Sequence, residues 1–253
     1  MRPREAVRSY PTRHAIVVSA LMPTRLAVLC SGGGSNLQAI LDHFAALTEA
    51  RSADVVLVAS DQAGAGALER ATAHAIPTAV LDPTSRATGL LGLLHAHAVD
   101  FVVLAGYLRL VPNDVTDAYA GRMVNIHPGL LPTFGGPGMY GRHVHQAVLD
   151  AGVRISGATA HFVDAAYDHG PIIAQWPVPV FPDDTAESLA RRVLEVEHAM
   201  YPRAVYAVAR GDITLGSDGT VRGPAAPHTL AHFVLGQAPG AATGALSLAS
   251  ARR

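Results

Sequence analysis

The stretch Leu26-Ala27-Val28-Leu29-Cys30-Ser31-Gly32-Gly33-Gly34-Ser35-Asn36-Leu37-Gln38-Ala39-Ile40 decides the fold. An apolar run of strand length leads straight into three glycines, and Leu37, Ile40, Leu41 and Phe44 then recur on one helical face. Strand, tight loop and helix in that order are the first half of a βαβ unit. Ser35-x-x-Gln38 reads as a capping box at the helix start. The loop's backbone N–H groups would then face outward from the carboxyl edge of a sheet, where hydrogen bonds and the helix dipole both favour an anion. A phosphate monoester fits such a cradle. The loop is not the dinucleotide fingerprint, because Leu37 stands where a third glycine belongs, and no Gly-Lys-Ser/Thr makes it a P-loop. The competing reading is a tight turn with no ligand.

Outward from this unit, residues 54–59, 78–81, 101–105 and 123–127 read as further strands separated by Ala- and Leu-rich helical stretches. The alternation predicts an α/β fold, a mostly parallel twisted sheet with helices on both faces. Phe101-Val102-Val103-Leu104-Ala105 is continuously apolar, as expected of a central strand covered on both sides. Residues 156–163 and 171–176 read as two later strands joined by a polar loop, a partly antiparallel pair. Asp184-x-x-Glu187 reads as the start of a long helix with Leu189, Val193, Val196 and Met200 on one face, running at least to Glu197. The organisation is a leader over 1–23, one catalytic domain over 24–212, a C-terminal extension over 213–235 and a disordered Ala/Gly-rich tail over 236–253. A split of the domain near residue 120 is the alternative.

The 253 residues, 49% of them hydrophobic, suffice for a substantial core. With 19 Lys and Arg against 20 Asp and Glu, the chain lacks the basic excess that binds nucleic acid through phosphates alone. One cysteine excludes an internal disulfide framework and points to a reducing, cytoplasmic setting. No apolar run is long enough to span a bilayer. Arg2, Arg4, Arg8 and Arg13 before the apolar residues 15–22 imitate a signal sequence, but a leader or an overextended start is the simpler reading.

Three groups of residues carry candidate chemistry besides the loop. On a strand, Asn125 and His127 face one side while Ile126 packs opposite, and Pro128 ends the strand. An amide and an imidazole together at a strand's carboxyl end can hold an oxygen that becomes negative during acyl transfer. Asp168, in the polar loop before Gly170-Pro171, could approach His127 and stabilise its imidazolium, or could merely cap a turn. His143-x-His145, with His127 and His161, raises a metal alternative; a helix with Val144, Ala147 and Val148 inward and both histidines flanking them competes with it.

Taken in order, the pieces resemble the phosphoribosylglycinamide formyltransferases, folate-dependent enzymes of purine synthesis. The resemblance rests on Ser31-Gly32-x-Gly34-Ser35-Asn36-Leu37-Gln38-Ala39-Ile40, Val103-Leu104-Ala105-Gly106-Tyr107-Leu108-Arg109, and Ala120-Gly121-Arg122-Met123-Val124-Asn125-Ile126-His127-Pro128. His161-Phe162-Val163, Asp168-His169-Gly170-Pro171-Ile172-Ile173 and Glu197-His198-Ala199-Met200-Tyr201-Pro202 complete it, over roughly residues 24 to 212. The resemblance implies direct formyl transfer from 10-formyltetrahydrofolate, as co-substrate and without a metal, to the amine of glycinamide ribonucleotide. Asn125, His127 and Asp168 would be catalytic. Gly34, Ser35 and Asn36 would bind the phosphate end of the ribonucleotide, and Leu194, Glu195, Val196 and Glu197 its ribose or glycinamide part. Leu108, Arg109, Leu110 and Val111, together with Asn125, Asp164, Ala165, Ala166, Tyr167 and Asp168, would hold the pterin, with Arg86 as a further folate contact. The implied partners are small-molecule substrates, not nucleic acid or membrane, in a monomer or homodimer.

Residues 133–142, Thr133-Phe134-Gly135-Gly136-Pro137-Gly138-Met139-Tyr140-Gly141-Arg142, depart from the family as a longer, glycine-richer loop. Other folate formyl enzymes share the Asn-x-His and Asp pieces. A methionyl-tRNA formyltransferase would need a C-terminal RNA-binding domain, which the Ala/Gly-rich tail does not offer. A formyltetrahydrofolate deformylase would carry a regulatory domain in front, for which the 21 residues before Met22 are too few. A non-catalytic nucleotide-phosphate-binding protein would use the glycine loop alone.

Overall fold

β1 (Thr24–Cys30) is buried from Leu26 to Cys30 without a break. Its side chains divide by the period of two, Leu26, Val28 and Cys30 entering one apolar cluster and Ala27 and Leu29 another. Two clusters on opposite faces require a cover of helices on each, the arrangement that a parallel sheet needs. The computed structural model, which describes residues 23–47, 52–81 and 88–223, has that form.

After β1 come α1 (Ser35–Ala45), β2 (Ala53–Ser60), α2 (Gly66–Ala73), β3 (Thr78–Val80), α3 (Thr88–Ala96), β4 (Phe101–Leu104), α4 (Asn113–Ala118) and β5 (Met123–His127). These five strands pair in parallel. α5 (Arg142–Asp150), β6 (Ile155–Phe162), β7 (Ile172–Pro179) and α6 (Ala186–Ala209) follow, with β6 and β7 antiparallel. The sheet order is β3-β2-β1-β4-β5-β6-β7, which puts the continuously apolar β4 at its centre. α1, α5 and α6 bury their apolar stripes on one face, while α3 and α4 cover the other.

The sheet runs without interruption from β4 to β5, across the position of the alternative split near residue 120. Three expectations change. Ser35 and Gln38 form no capping box. The chain enters α1 through Gly34 at φ 74°, Ser35 is already helical, and no side chain caps the end. Gly34 is required there because a Cβ would also lie 2.7 Å from the Ala67 Cα. At the start of α6 the cap is Thr185, paired reciprocally with Ser188. Asp184 instead takes a two-point bond from Arg192 at 2.7 and 2.8 Å, which holds its carboxyl well below the usual carboxylate range against burial. Lastly, α5 does not leave both histidines at its flanks: His143 is exposed, but His145 is buried beside Val144 and Val148.

The first part of the 213–235 extension packs on the domain. Ile213 is in the main core, and a short hairpin of β8 (Thr214–Leu215) and β9 (Val221–Arg222) leans Leu215 and Val221 against it. Residues 1–22 of the leader, Arg86, the extension from residue 224 on and the tail over 236–253 lie outside the described residues. Among the described residues, no helix is long and apolar enough to cross a membrane.

Candidate active site

The sheet order reverses direction between β1 and β4. The chain leaves β1 for α1 on one face, whereas β4 leads towards α4 on the other, so the two loops part above the strand ends. A cavity of about 620 Å³ opens there. It is bounded by the loop after β4, the end of β5, residues 136–142, the loop after β6 and the first half of α6. Its size and mixed apolar and polar walls suit organic ligands.

Asn125 and His127 reach this cavity from β5 on one side of the strand, as the period of two demands. Asp168 comes from the loop after β6, held at φ 55°, with Oδ2 3.4 Å from His127 Nδ1. The other imidazole nitrogen, Nε2, lies 2.9 Å from the Phe134 carbonyl. Both ring nitrogens thus face oxygen atoms that can accept a hydrogen bond. Asp168 Oδ2 also accepts the Gly136 N–H at 3.0 Å. Burial would push the Asp168 carboxyl up, but His127, Gly136 and the more distant His161 outweigh it and lower the pKa.

The glycine-rich segment 133–142 is what supplies these acceptor and donor groups. A Cβ on Gly135 would fall 2.5 Å from Leu131 Cδ2 and 3.2 Å from Asp168 Cβ, so a side chain there would displace the Leu131 side chain and press on Asp168. Asn125 is oriented by a neighbour in the antiparallel register. His161 stands directly opposite it on β6, donates Nδ1–H to the Phe162 carbonyl at 2.7 Å, and so offers Nε2 to Asn125 Nδ2 at 3.0 Å. Burial, above all, lowers the His161 pKa and keeps this acceptor neutral. The second amide hydrogen of Asn125 has only a long contact, 3.4 Å, to Asp168 Oδ1.

The residues expected to bind the ribonucleotide are distributed unevenly. Asn36, Leu194 and Glu197 line the cavity, whereas Val196 is committed to the core and Glu195 is exposed on α6 away from it. Asn36 Nδ2 donates to Glu197 Oε2 at 2.7 Å, leaving Asn36 Oδ1 buried without a partner. Burial pushes the Glu197 carboxyl up to about 7. Gly34 sits at the α1 start, and Ser35 opens into an adjoining recess with Arg70 and His198. Arg70, which the sequence did not single out, donates Nε to the Gly33 carbonyl at 2.8 Å and braces the loop.

Of the residues expected at the pterin, Leu108, Arg109, Leu110, Val111, Asp164, Ala166, Tyr167 and Asp168 line the cavity; Ala165 is exposed and does not. Leu108 and Leu110, about half exposed, and Tyr167 present apolar surface at the rim that a flat heteroaromatic ring can cover. Asp164 shapes the loop, accepting from Ala166 N at 2.9 Å and pairing with His169 Nδ1 at 3.1 Å. His145 also lines the cavity, with Nδ1 buried and unpartnered; burial lowers its pKa to about 4, so it is neutral. Among the described residues, no three His, Cys, Asp or Glu side chains are grouped to hold a metal ion.

The formyl transferase family model matches residues 24–205. The chloroplastic phosphoribosylglycinamide formyltransferase of Arabidopsis thaliana is 43% identical over 202 residues, covering 77% of this chain and 68% of that protein. The crystal structure of phosphoribosylglycinamide formyltransferase from Anaplasma phagocytophilum aligns with a TM-score of 0.74 and 38% identity, over 82% of this chain and 96% of that one. A formyltetrahydrofolate deformylase from Pseudomonas syringae is a more remote match, at 27% identity and a TM-score of 0.69 over 79% of this chain and 65% of that one.

Proposed function

The chain belongs to the formyl transferase family, and we propose that it transfers the formyl group of 10-formyltetrahydrofolate to the primary amine of glycinamide ribonucleotide in purine synthesis. The observation that carries the chemistry is one carboxylate, Asp168, facing two donors at 3.4 Å, His127 Nδ1 and Asn125 Nδ2. Both contacts are long, so both donors are available to a closer acceptor arriving between them.

In this reading the neutral amine attacks the formyl carbon, a C–N bond forms, and the carbonyl electrons move onto the formyl oxygen. His127 as imidazolium and the second N–H of Asn125 hold that oxyanion. Asp168 keeps the imidazolium in place and receives the proton that the attacking nitrogen sheds. The proton passes to N10 of the folate as the C–N10 bond breaks, leaving formylated ribonucleotide and tetrahydrofolate. The Asp168 carboxyl stays ionised near neutrality and is therefore ready as a base. No covalent bond to the enzyme is needed. The helix start at Gly34 and Ser35 serves the phosphate, Glu197 the ribose hydroxyls, and the segment 108–111 with the loop 164–168 the pterin.

The test is an absorbance assay of folate release with purified protein, run with and without the ribonucleotide. Release that depends on the ribonucleotide is the expected result. Release at the same rate without it would mean hydrolysis of the formyl group, the activity named for the more remote neighbour, and would overturn the assignment.

A further inference from the structure

The loops after β1 and β4 are laced together at their roots. Ser31 donates its N–H to the Gly106 carbonyl at 2.9 Å, and its hydroxyl oxygen accepts the Leu108 N–H at 2.9 Å. One residue further on, Arg109 Nε donates to Asp61 Oδ2 at 2.8 Å, an oxygen that also accepts from Gln62 Nε2 at 3.1 Å. Asp61 is the first residue after β2, and its side chain is only 5% exposed. Its Oδ1 is buried with no hydrogen-bond partner. Burial pushes the carboxyl up, but the Ser31 hydroxyl beside it and Arg109 prevail and keep it ionised.

We infer that Ser31 and Asp61 are positioning residues for the formyl donor, holding in advance the backbone that receives the pterin. The inference rests on the reading above that residues 108–111 form the pterin site. Leu108 and Leu110 are exposed and anchor little themselves. Backbone groups can read the edge of a ring only if their peptide planes are set before it arrives; otherwise binding must also order the loop. The Ser31 bond sets the plane of the Tyr107–Leu108 peptide, and the Asp61 pair ties down the next residue. An exposed Arg–Asp pair contributes little, but here the carboxylate is buried, and losing its partners would leave it unsatisfied.

The experiment is titration calorimetry of 10-formyltetrahydrofolate and, separately, of glycinamide ribonucleotide into wild type, Asp61→Ala, Asp61→Asn and Ser31→Ala, with thermal unfolding of each protein. The Kd for the formyl donor should rise about tenfold in Asp61→Ala, as loss of a charge-assisted bond implies. Ser31→Ala should move the same way, and Asp61→Asn, which keeps an acceptor oxygen without the charge, should fall in between. Ribonucleotide affinity and the unfolding midpoint should stay near wild type, a split that general loosening of the fold would not produce. An unchanged donor Kd, or equal losses for both ligands, would overturn the inference and leave the transferase reading standing. Wild-type protein that binds the ribonucleotide but not the formyl donor would overturn both.

Discussion

Glu197 is a carboxyl placed where ionisation is costly. It is 6% exposed, its hydrogen-bond partner is the neutral amide of Asn36, and burial pushes its pKa from 4.5 to about 7 against the opposing effects of Asn36 and His127. A carboxyl with a raised native pKa binds more protons folded than unfolded between those values, so stability falls as pH rises through that window. The shift corresponds to about 3 kcal/mol lost by pH 8. Glu197→Gln removes the titration while keeping the shape. His145 acts in the opposite sense: burial lowers its pKa from 6.5 to about 4, so its contribution is lost as pH falls through that range. Both proteins carry His145, and the difference between them cancels it. Thermal or urea unfolding from pH 5 to pH 8 should show the variant gaining on wild type as pH rises. The gain should reach about 3 kcal/mol, or roughly 6–12 °C in midpoint for a domain of this size. A difference between the two proteins that stays flat with pH would refute the claim that ionised Glu197 burdens the native state.

Three further outcomes are expected. His127→Ala and Asp168→Ala should each lower kcat by about a hundredfold or more while ligand affinities measured by calorimetry persist; near-native turnover in either would remove that residue from the mechanism. Gly34→Ala must place a Cβ 2.7 Å from the Ala67 Cα at φ 74°, so it should lose about 1–3 kcal/mol of stability and weaken the ribonucleotide more than the folate; denaturant melts and the two KM values check both parts. Tyr201, fully buried, donates its hydroxyl to the Leu104 carbonyl at 2.7 Å and approaches that of Val124 at 3.2 Å, clasping β4 to β5. Tyr201→Phe should therefore cost about 1–3 kcal/mol in urea unfolding, and an unchanged midpoint would show that clasp to be idle.

The legible part of this molecule is local. Runs such as Phe101–Leu104 and Met123–His127 announce strands because their residues must be buried on both faces, and the period of two puts Asn125 and His127 on one side before any tertiary contact is known. The three glycines before a helical pattern likewise mark a turn that only a residue free to take positive φ can make. Even here chemistry at the boundary misleads: Ser35 and Asp184 have the residue types of helix caps, but Gly34 and Thr185 occupy the cap positions, and Asp184 is drawn to Arg192 instead.

What only the tertiary structure decides is which distant groups meet. Asp168 reaches His127 because β6 runs antiparallel to β5 and its following loop turns back at a left-handed residue; His161 orients Asn125 for the same reason of register. The Phe134 carbonyl and the Gly136 N–H enter the site as backbone groups, which carry no signature in residue type. Ser31, Asp61 and Arg109 come together because β1 lies between β2 and β4 in the sheet, an order set by packing across the whole molecule. Sequence by itself determined the strands, the glycine turn and the residue types available for chemistry, since these depend on neighbours along the chain. Distances, protonation and the pairing of loops depend on neighbours across space, and those exist only once the sheet has chosen its order and register.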